Sequence, residues 1–214
     1  MDNNIKYVLF DLDGTLIDTA EGIRNSFIYA FNKMGIEIPS ESEIKGFMGP
    51  PLEQSFSSLG LSGDDIVKAV SFFRENYKAT GIYECKVFEG IEYTLKKIKE
   101  AEKTIIVTTS KVQYLAEKVI KDNNISKYFD FICGSDISCG RDSKTKVIEY
   151  AFDVAKIKNK CEAIIIGDTK YDIKGAKDTG IKSIGAFYGY GEKSDLEKAD
   201  FTVDTPYNIL DIIL

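Results

Sequence analysis

The chain has no histidine among its 214 residues. That excludes serine and cysteine hydrolases that rely on a histidine base. It excludes phosphohistidine mechanisms as well. Acid–base chemistry near neutral pH must come from carboxylates, lysine, tyrosine or a metal-bound water. Cysteine is scarce: Cys85, Cys133, Cys139 and Cys161 form no Cys-x-x-Cys pair. Without such a pair or a histidine, a structural zinc site is not expected, and the thiols read as buried and reduced. No apolar run approaches the ~18 residues that a membrane span needs. The stretch Met1 to Lys6 is polar and acidic and does not read as a signal peptide. The expectation is a cytoplasmic protein with no membrane partner. Positive charge is also in deficit, with 28 Lys and Arg against 34 Asp and Glu. A net charge of −6 disfavours nucleic acid as a partner. A small anionic substrate would need local positive groups or a metal.

What is present is a repeated pattern of short apolar runs. Tyr7-Val8-Leu9-Phe10 is bounded by Lys6 and Asp11. Such a run, short and without alternation, reads as a strand buried on both faces of a parallel sheet. Similar runs occur at Ile105–Val107, Phe129–Cys133, Ala163–Ile166, Ile181–Phe187 and Phe201–Val203. Helical spacings lie between them: Ile91, Leu95 and Ile98; Leu115, Val119 and Ile120; Val147, Ile148, Ala151 and Val154. Strands alternating with helices of this length predict a doubly wound α/β fold with a parallel sheet.

Residues from about Thr19 to about Tyr83 break the rhythm. Ile23, Phe27, Ala30, Phe31 and Met34 repeat at helical spacing up to Gly35. Leu52, Phe56 and Leu59 follow Pro50-Pro51, which suits a helix start. Ile66, Val67, Val70, Phe73 and Tyr77 form a further apolar face. Phe72 joins Phe27, Phe31, Phe73 and Tyr77 as expected packing of that segment. The segment reads as three or four amphipathic helices, an all-α insertion over 17–83. The core then comprises 1–16 and 84–214, with hinges at Leu16–Asp18 and Ile82–Val87. The turn Gly46-Phe47-Met48-Gly49-Pro50 is either a loop facing a site or a plain helix connection. The size suits a monomer or a weak homodimer.

Three polar clusters each follow an apolar strand. They are Asp11-Leu12-Asp13-Gly14-Thr15, then Thr108-Thr109-Ser110, then Gly167-Asp168 with Asp172 beyond. In an open parallel sheet, ligands bind beyond the carboxyl ends of the strands, so these clusters converge on one rim. Several carboxylates on one rim repel one another. A divalent cation relieves that repulsion, and an all-oxygen donor set shared with phosphate points to Mg²⁺. A carboxylate can also act as the nucleophile in phosphoryl transfer.

The segment Phe10-Asp11-Leu12-Asp13-Gly14-Thr15-Leu16 resembles the nucleophile motif of the haloacid dehalogenase superfamily in its phosphatase form. The threonines after the second strand resemble its second motif. Lys144 in Ser143-Lys144-Thr145-Lys146-Val147 resembles the third, and Gly167-Asp168-Thr169-Lys170-Tyr171-Asp172 the fourth. The likeness covers nearly the whole chain and is strongest to the phosphoglycolate phosphatase-like branch. It implies a Rossmann-like core with a small helical cap. It also implies a Mg²⁺-dependent phosphatase acting on a small phosphorylated metabolite, a phosphoglycolate-like monoester. Asp11 would attack phosphorus, and Asp13 would serve as general acid and base. Asp11, the Asp13 carbonyl and Asp168 would hold Mg²⁺, with Asp172 either a further ligand or a partner that supports the ligands. Thr109 would hydrogen-bond the phosphoryl oxygens and Lys144 would offset charge. Thr108 competes with Thr109, and Lys146 with Lys144; Thr109, two residues before Lys111, and Lys144 are preferred. Thr108, Ser110 and Arg24 are further candidates for substrate contact. Lys45 in the insertion is another cation that could meet an anion. A sugar-phosphate mutase or a pyrophosphatase of the same superfamily is the alternative. A non-catalytic binding protein would not need to keep Asp11, Asp13, Asp168 and a lysine together.

Overall fold

The computed structural model describes residues 4–214, so Met1–Asn3 of the polar N-terminal stretch lie outside the described residues. The chain divides into two compact units. One comprises the residues up to Ile17 together with Val87–Leu214; the other is Asp18–Lys86.

The first unit opens with strand β1 (Tyr7–Phe10), and β2 (Ile17–Asp18) marks the crossing to the second unit. The second unit holds α1 (Ala20–Met34), α2 (Glu41–Gly46), α3 (Leu52–Ser58) and α4 (Asp64–Ala79). The return crossing is β3 (Lys86–Val87), followed by α5 (Ile91–Glu100), β4 (Thr104–Val112) and α6 (Gln113–Asp122). Then come β5 (Phe131–Ser135), α7 (Lys144–Ala155), β6 (Ala163–Gly167) and α8 (Lys170–Thr179). The chain ends with β7 (Lys182–Ala186), α9 (Lys193–Leu196), β8 (Phe201–Val203) and α10 (Ile209–Ile213).

Six strands form one sheet in the order β5-β4-β1-β6-β7-β8. Each pairing is parallel. The order reverses at β1, which has β4 on one side and β6 on the other. Phe10, the last residue of β1, is in register with Val107 and with Ile166, so the residues next along the three strands, Asp11, Thr108 and Gly167, follow at one level. This is the switch point at which open α/β sheets bind ligands.

Alternation of side chains along each strand divides the apolar residues between two faces. Leu9, Ile106, Cys133, Ala163 and Ile165 pack with Val147, Ile148, Ala151 and Phe152 of α7 and Ala176 of α8. Val8, Phe10, Ile105, Val107, Ile164 and Ile166 are buried on the alternate positions. A strand buried on both faces needs no polar alternation, which is why these runs are continuous in the sequence. The doubly wound parallel sheet is therefore the observed core.

Local details differ from the sequence reading. The run expected at Phe129 begins its strand at Phe131 instead. Asp130 intervenes: its carboxylate accepts the Ile105 amide at 2.8 Å and pairs with Lys99, closing the preceding turn. Ile181 lies just past the Gly180 cap of α8, its amide bonding back to the Ala176 carbonyl at 3.1 Å, and the strand starts at Lys182. β4 runs five residues past Val107 with a register shift after Thr108.

The second unit is all-helical apart from the short strand residues at its two ends. Its core is aromatic. Phe27 lies within 4.8–6.0 Å, centroid to centroid, of Phe31, Phe47, Phe56 and Phe73, and Phe73 stacks on Tyr77. Phe72, expected in this core, is only half-buried, and Val67 is 68% exposed and faces water. Helix α4 packs on α1 and α3, and the positions that meet them are Ala69, Val70, Phe73 and Tyr77. Phe47, from the turn before Pro50, joins this core and is buried.

The thiols also depart from expectation. Cys133 is buried, Cys85 is half-buried, and Cys139 and Cys161 are exposed; all four are free. Among the described residues no helix is long and apolar enough to cross a membrane.

Candidate active site

Asp11 is the first residue beyond β1, and its amide still bonds the Ile166 carbonyl at 2.9 Å. The ladder thus carries its carboxyl to the rim, where it is buried. The Leu12 amide donates to Asp11 Oδ1 at 2.7 Å, and Lys144 Nζ lies 2.7 Å from the same oxygen. Oδ2 of Asp11 has no protein donor among the described residues.

Lys144 is the first residue of α7. Ser143 caps that helix by accepting the Lys146 amide at 3.4 Å, which aims the first turn at the rim. The Lys144 ammonium also lies 2.7 Å from Asp172 Oδ1 and donates to the Thr108 carbonyl at 2.9 Å. Burial works against its charge, but Asp11 and Asp172 outweigh it and hold the ammonium protonated. Lys146 is on the surface, paired with Asp142 at 2.9 Å. The structure therefore brings Lys144, and not Lys146, to Asp11.

Asp168 follows β6 and is fully buried. Thr15 Oγ1 donates to its Oδ1 at 2.9 Å, and the Tyr190 amide donates to its Oδ2 at 2.9 Å. Asp172 stands one turn into α8. Its Oδ2 accepts the Thr169 amide at 3.0 Å and the Thr169 hydroxyl at 2.8 Å, a reciprocal cap that locks the start of the helix.

Asp11, Asp168 and Asp172 place one oxygen each within 4.8 Å of one another. Burial pushes the Asp11 carboxyl up to about 6, a rise that Lys144 opposes and Asp172 adds to. Burial also raises Asp168 well above the ordinary carboxylate range, and the neighbouring Asp11 and Asp172 add to it. Of these three buried carboxylates Lys144 meets Asp11 and Asp172, while Asp168 has no cation against it among the described residues, and both Asp11 and Asp168 resist ionisation. An all-oxygen set with uncompensated negative charge fits a hard divalent cation such as Mg²⁺.

The Asp13 carboxylate is not in that group. Lys111 Nζ donates to its Oδ1 at 3.0 Å and its Oδ2 at 2.7 Å. Thr109 is buried and its Oγ1 accepts the Lys111 amide at 3.1 Å. Thr108 is also buried, with Oγ1 3.5 Å from the Phe10 carbonyl, so its hydroxyl faces β1. Ser110 is exposed. Arg24 lies on α1 in the helical unit, where Glu41 takes its guanidinium in a two-oxygen pair. Lys45 is exposed at the end of α2.

Several contributors were not singled out from sequence. Lys111 is one. The others are in the segment after β7, Tyr188-Gly189-Tyr190-Gly191. The Tyr188 hydroxyl donates to the Thr15 carbonyl at 3.1 Å, and burial raises its phenol above its usual range. Both tyrosines pack on Phe88. A Cβ on Gly189 would stand 2.2 Å from the Asp168 Cβ. The alternation of glycine and tyrosine just past a strand was visible in the sequence. Its contact to Asp168 is made by the Tyr190 backbone amide, which residue chemistry does not advertise.

This rim belongs to a known class of fold and site. The haloacid dehalogenase-like hydrolase family profile matches residues 8–186. The chain belongs to the haloacid dehalogenase-like hydrolases. A solved structure of a haloacid dehalogenase-like family hydrolase from Streptococcus pneumoniae superposes with a TM-score of 0.94 at 38% identity, covering 99% of each chain. A 5′-nucleotidase of Pseudomonas aeruginosa is 34% identical over 190 residues, 88% of this chain and 86% of its own. A phosphoglycolate phosphatase of Aquifex aeolicus is 29% identical over 210 residues, 98% of this chain and 97% of its own.

Proposed function

We propose that this hydrolase is a Mg²⁺-dependent phosphatase that releases phosphate from a small phosphorylated metabolite through an aspartyl-phosphate on Asp11. The observation that carries the reading is the placement of Asp11 at the switch point, 2.7 Å from Lys144 and grouped with Asp168 and Asp172. A nucleotidase and a phosphoglycolate phosphatase among the relatives support a phosphate monoester as substrate.

Asp11 Oδ2 attacks phosphorus while its Oδ1 stays with Lys144 and the Leu12 amide. The bond from phosphorus to the leaving oxygen breaks, and Asp13 gives that oxygen a proton. A water then attacks the aspartyl-phosphate, the bond to Asp11 breaks, and Asp13 takes the water's proton. Thr109 and Lys144 hold phosphoryl oxygens, which positions the group and balances its charge. Asp11, Asp168, Asp172 and the Asp13 carbonyl would hold Mg²⁺, which supplies charge neutralisation for the phosphoryl group. The helical unit 18–86 corresponds to the small helical cap expected of this family, and a phosphoglycolate-like monoester is the substrate class.

The test is phosphate release from p-nitrophenyl phosphate and a panel of phosphorylated metabolites, with and without Mg²⁺. Asp11→Asn should abolish turnover; unchanged turnover overturns the mechanism. Labelled water should enter free phosphate. Little label, with transfer to a sugar hydroxyl instead, would make the protein a mutase.

A further inference from the structure

Each carboxylate of the site is held in a different way. Asp11 receives a backbone amide and Lys144, Asp168 a hydroxyl and a backbone amide, and Asp172 an amide, a hydroxyl and Lys144. Asp13 is held by Lys111, which meets both of its oxygens. The side chains of the pair are 8% and 25% exposed respectively, so the lysine is the more withdrawn from water. An ammonium buried to that degree needs a carboxylate against it.

The backbone explains why Lys111 reaches this point. β4 slips register with β5 after Thr108, and the Thr109 hydroxyl accepts the Lys111 amide. The same turn therefore sets Thr109 and Lys111 together at the rim. A two-oxygen contact to one ammonium fixes the carboxylate plane more firmly than a single bond does. Lysine also has three donors on a flexible stem, so one oxygen can leave for proton transfer while the other stays held.

We infer that Lys111 is a positioning residue for Asp13, setting the orientation in which that carboxylate exchanges protons with the leaving oxygen and with water. The inference rests on the reading of Asp13 as the acid–base group. A salt bridge that serves folding alone would affect stability and leave the chemistry of Asp13 untouched. A positioning role predicts coupling between the two residues in kcat.

The experiment is a double-mutant cycle with Lys111→Met and Asp13→Asn, each alone and together, using p-nitrophenyl phosphate and an alkyl phosphate with saturating Mg²⁺. General acid–base catalysis contributes roughly 10²–10⁴-fold, so loss of orientation in Lys111→Met should lower kcat by about 100-fold while KM changes less than about threefold. In the Asp13→Asn background the same substitution should change kcat less than about threefold, because the group it positions is gone. Lys111→Arg, which can also meet two carboxylate oxygens, should keep more than half of the kcat that Lys111→Met loses. Equal losses in both backgrounds, or no loss in either, overturn the positioning role. If Asp13→Asn alone leaves kcat unchanged, the acid–base reading fails and the inference with it. An impaired Asp13→Asn with an additive cycle overturns the Lys111 role only. Should Lys111→Met fail to fold, Lys111→Gln and Lys111→Arg carry the same cycle.

Discussion

Gly189 lies so close to Asp168 that a single added carbon would stand 2.2 Å from the Asp168 Cβ and 2.4 Å from the Gly14 carbonyl oxygen. Nothing at that distance can be relieved by a side-chain rotation, because the obstacles are a Cβ and a backbone oxygen. The segment after β7 is thus pressed onto Asp168, and the Tyr190 amide reaches its carboxylate for that reason. Gly189→Ala should displace Asp168. Loss of orientation around a metal-binding carboxylate typically costs about 10–100-fold in metal affinity. The half-saturating Mg²⁺ concentration for phosphate release should rise by that factor, and the thermal shift on adding Mg²⁺ should shrink.

Lys144 answers two buried carboxylates at once. Lys144→Met would leave both without their cation, a loss of about 3–5 kcal/mol when one partner of a buried pair is removed. Removing a group that stabilises transition-state charge costs about 10²–10³-fold in kcat. Lys146→Met, two residues on and exposed, should stay within about twofold in kcat and 0.5 kcal/mol in stability. Steady-state kinetics and denaturant unfolding on the two variants separate the roles.

Stability should depend on pH and Mg²⁺ together. Asp11 is raised from 3.8 to about 6 in the folded chain, and Asp168 is raised in the same direction. The folded state therefore binds more protons than the unfolded state between those values. Without Mg²⁺, the Asp11 contribution to stability is full below about pH 4 and is lost as pH rises past about 6, and Asp168 contributes with the same sign. A bound cation favours the ionised carboxylates. Thermal melts should show a larger Mg²⁺-induced rise in Tm at about pH 7.5 than at about pH 5, and Asp11→Asn should flatten the difference.

Phe27 is the centre of the helical unit's core, in ring contact with four phenylalanines. Phe27→Ala should cost about 3–5 kcal/mol by denaturant unfolding, the usual range for emptying a buried aromatic site. Val67→Ala, at an exposed position on α4, should stay within about 0.5 kcal/mol.

Thiol accessibility gives an independent check of the core. Burial pushes the Cys133 thiol up to about 11, so little thiolate is present at neutral pH. A maleimide reagent should label Cys139 and Cys161 first and leave Cys133 unmodified until the chain unfolds.

The sequence by itself determined the alternation of strands and helices, because a strand buried on both faces must be apolar throughout and leaves a continuous run. It also determined Asp11, Asp13 and Asp168 as rim residues, since polar clusters directly after buried strands have one end of the sheet to occupy. Strand ends were less legible: Asp130 is claimed by a turn whose partners Ile105 and Lys99 lie elsewhere in the chain, and Ile181 by the cap of the helix just before it. The sequence preferred Lys144 to Lys146, and the direction of the first turn of α7 in the tertiary structure brings Lys144 to Asp11. Tertiary structure alone brought Lys111 to Asp13 across 98 residues and Tyr190 to Asp168 across 22. Those contacts are made by a register slip and by backbone pressed close at glycine, and neither leaves a chemical signature in residue type.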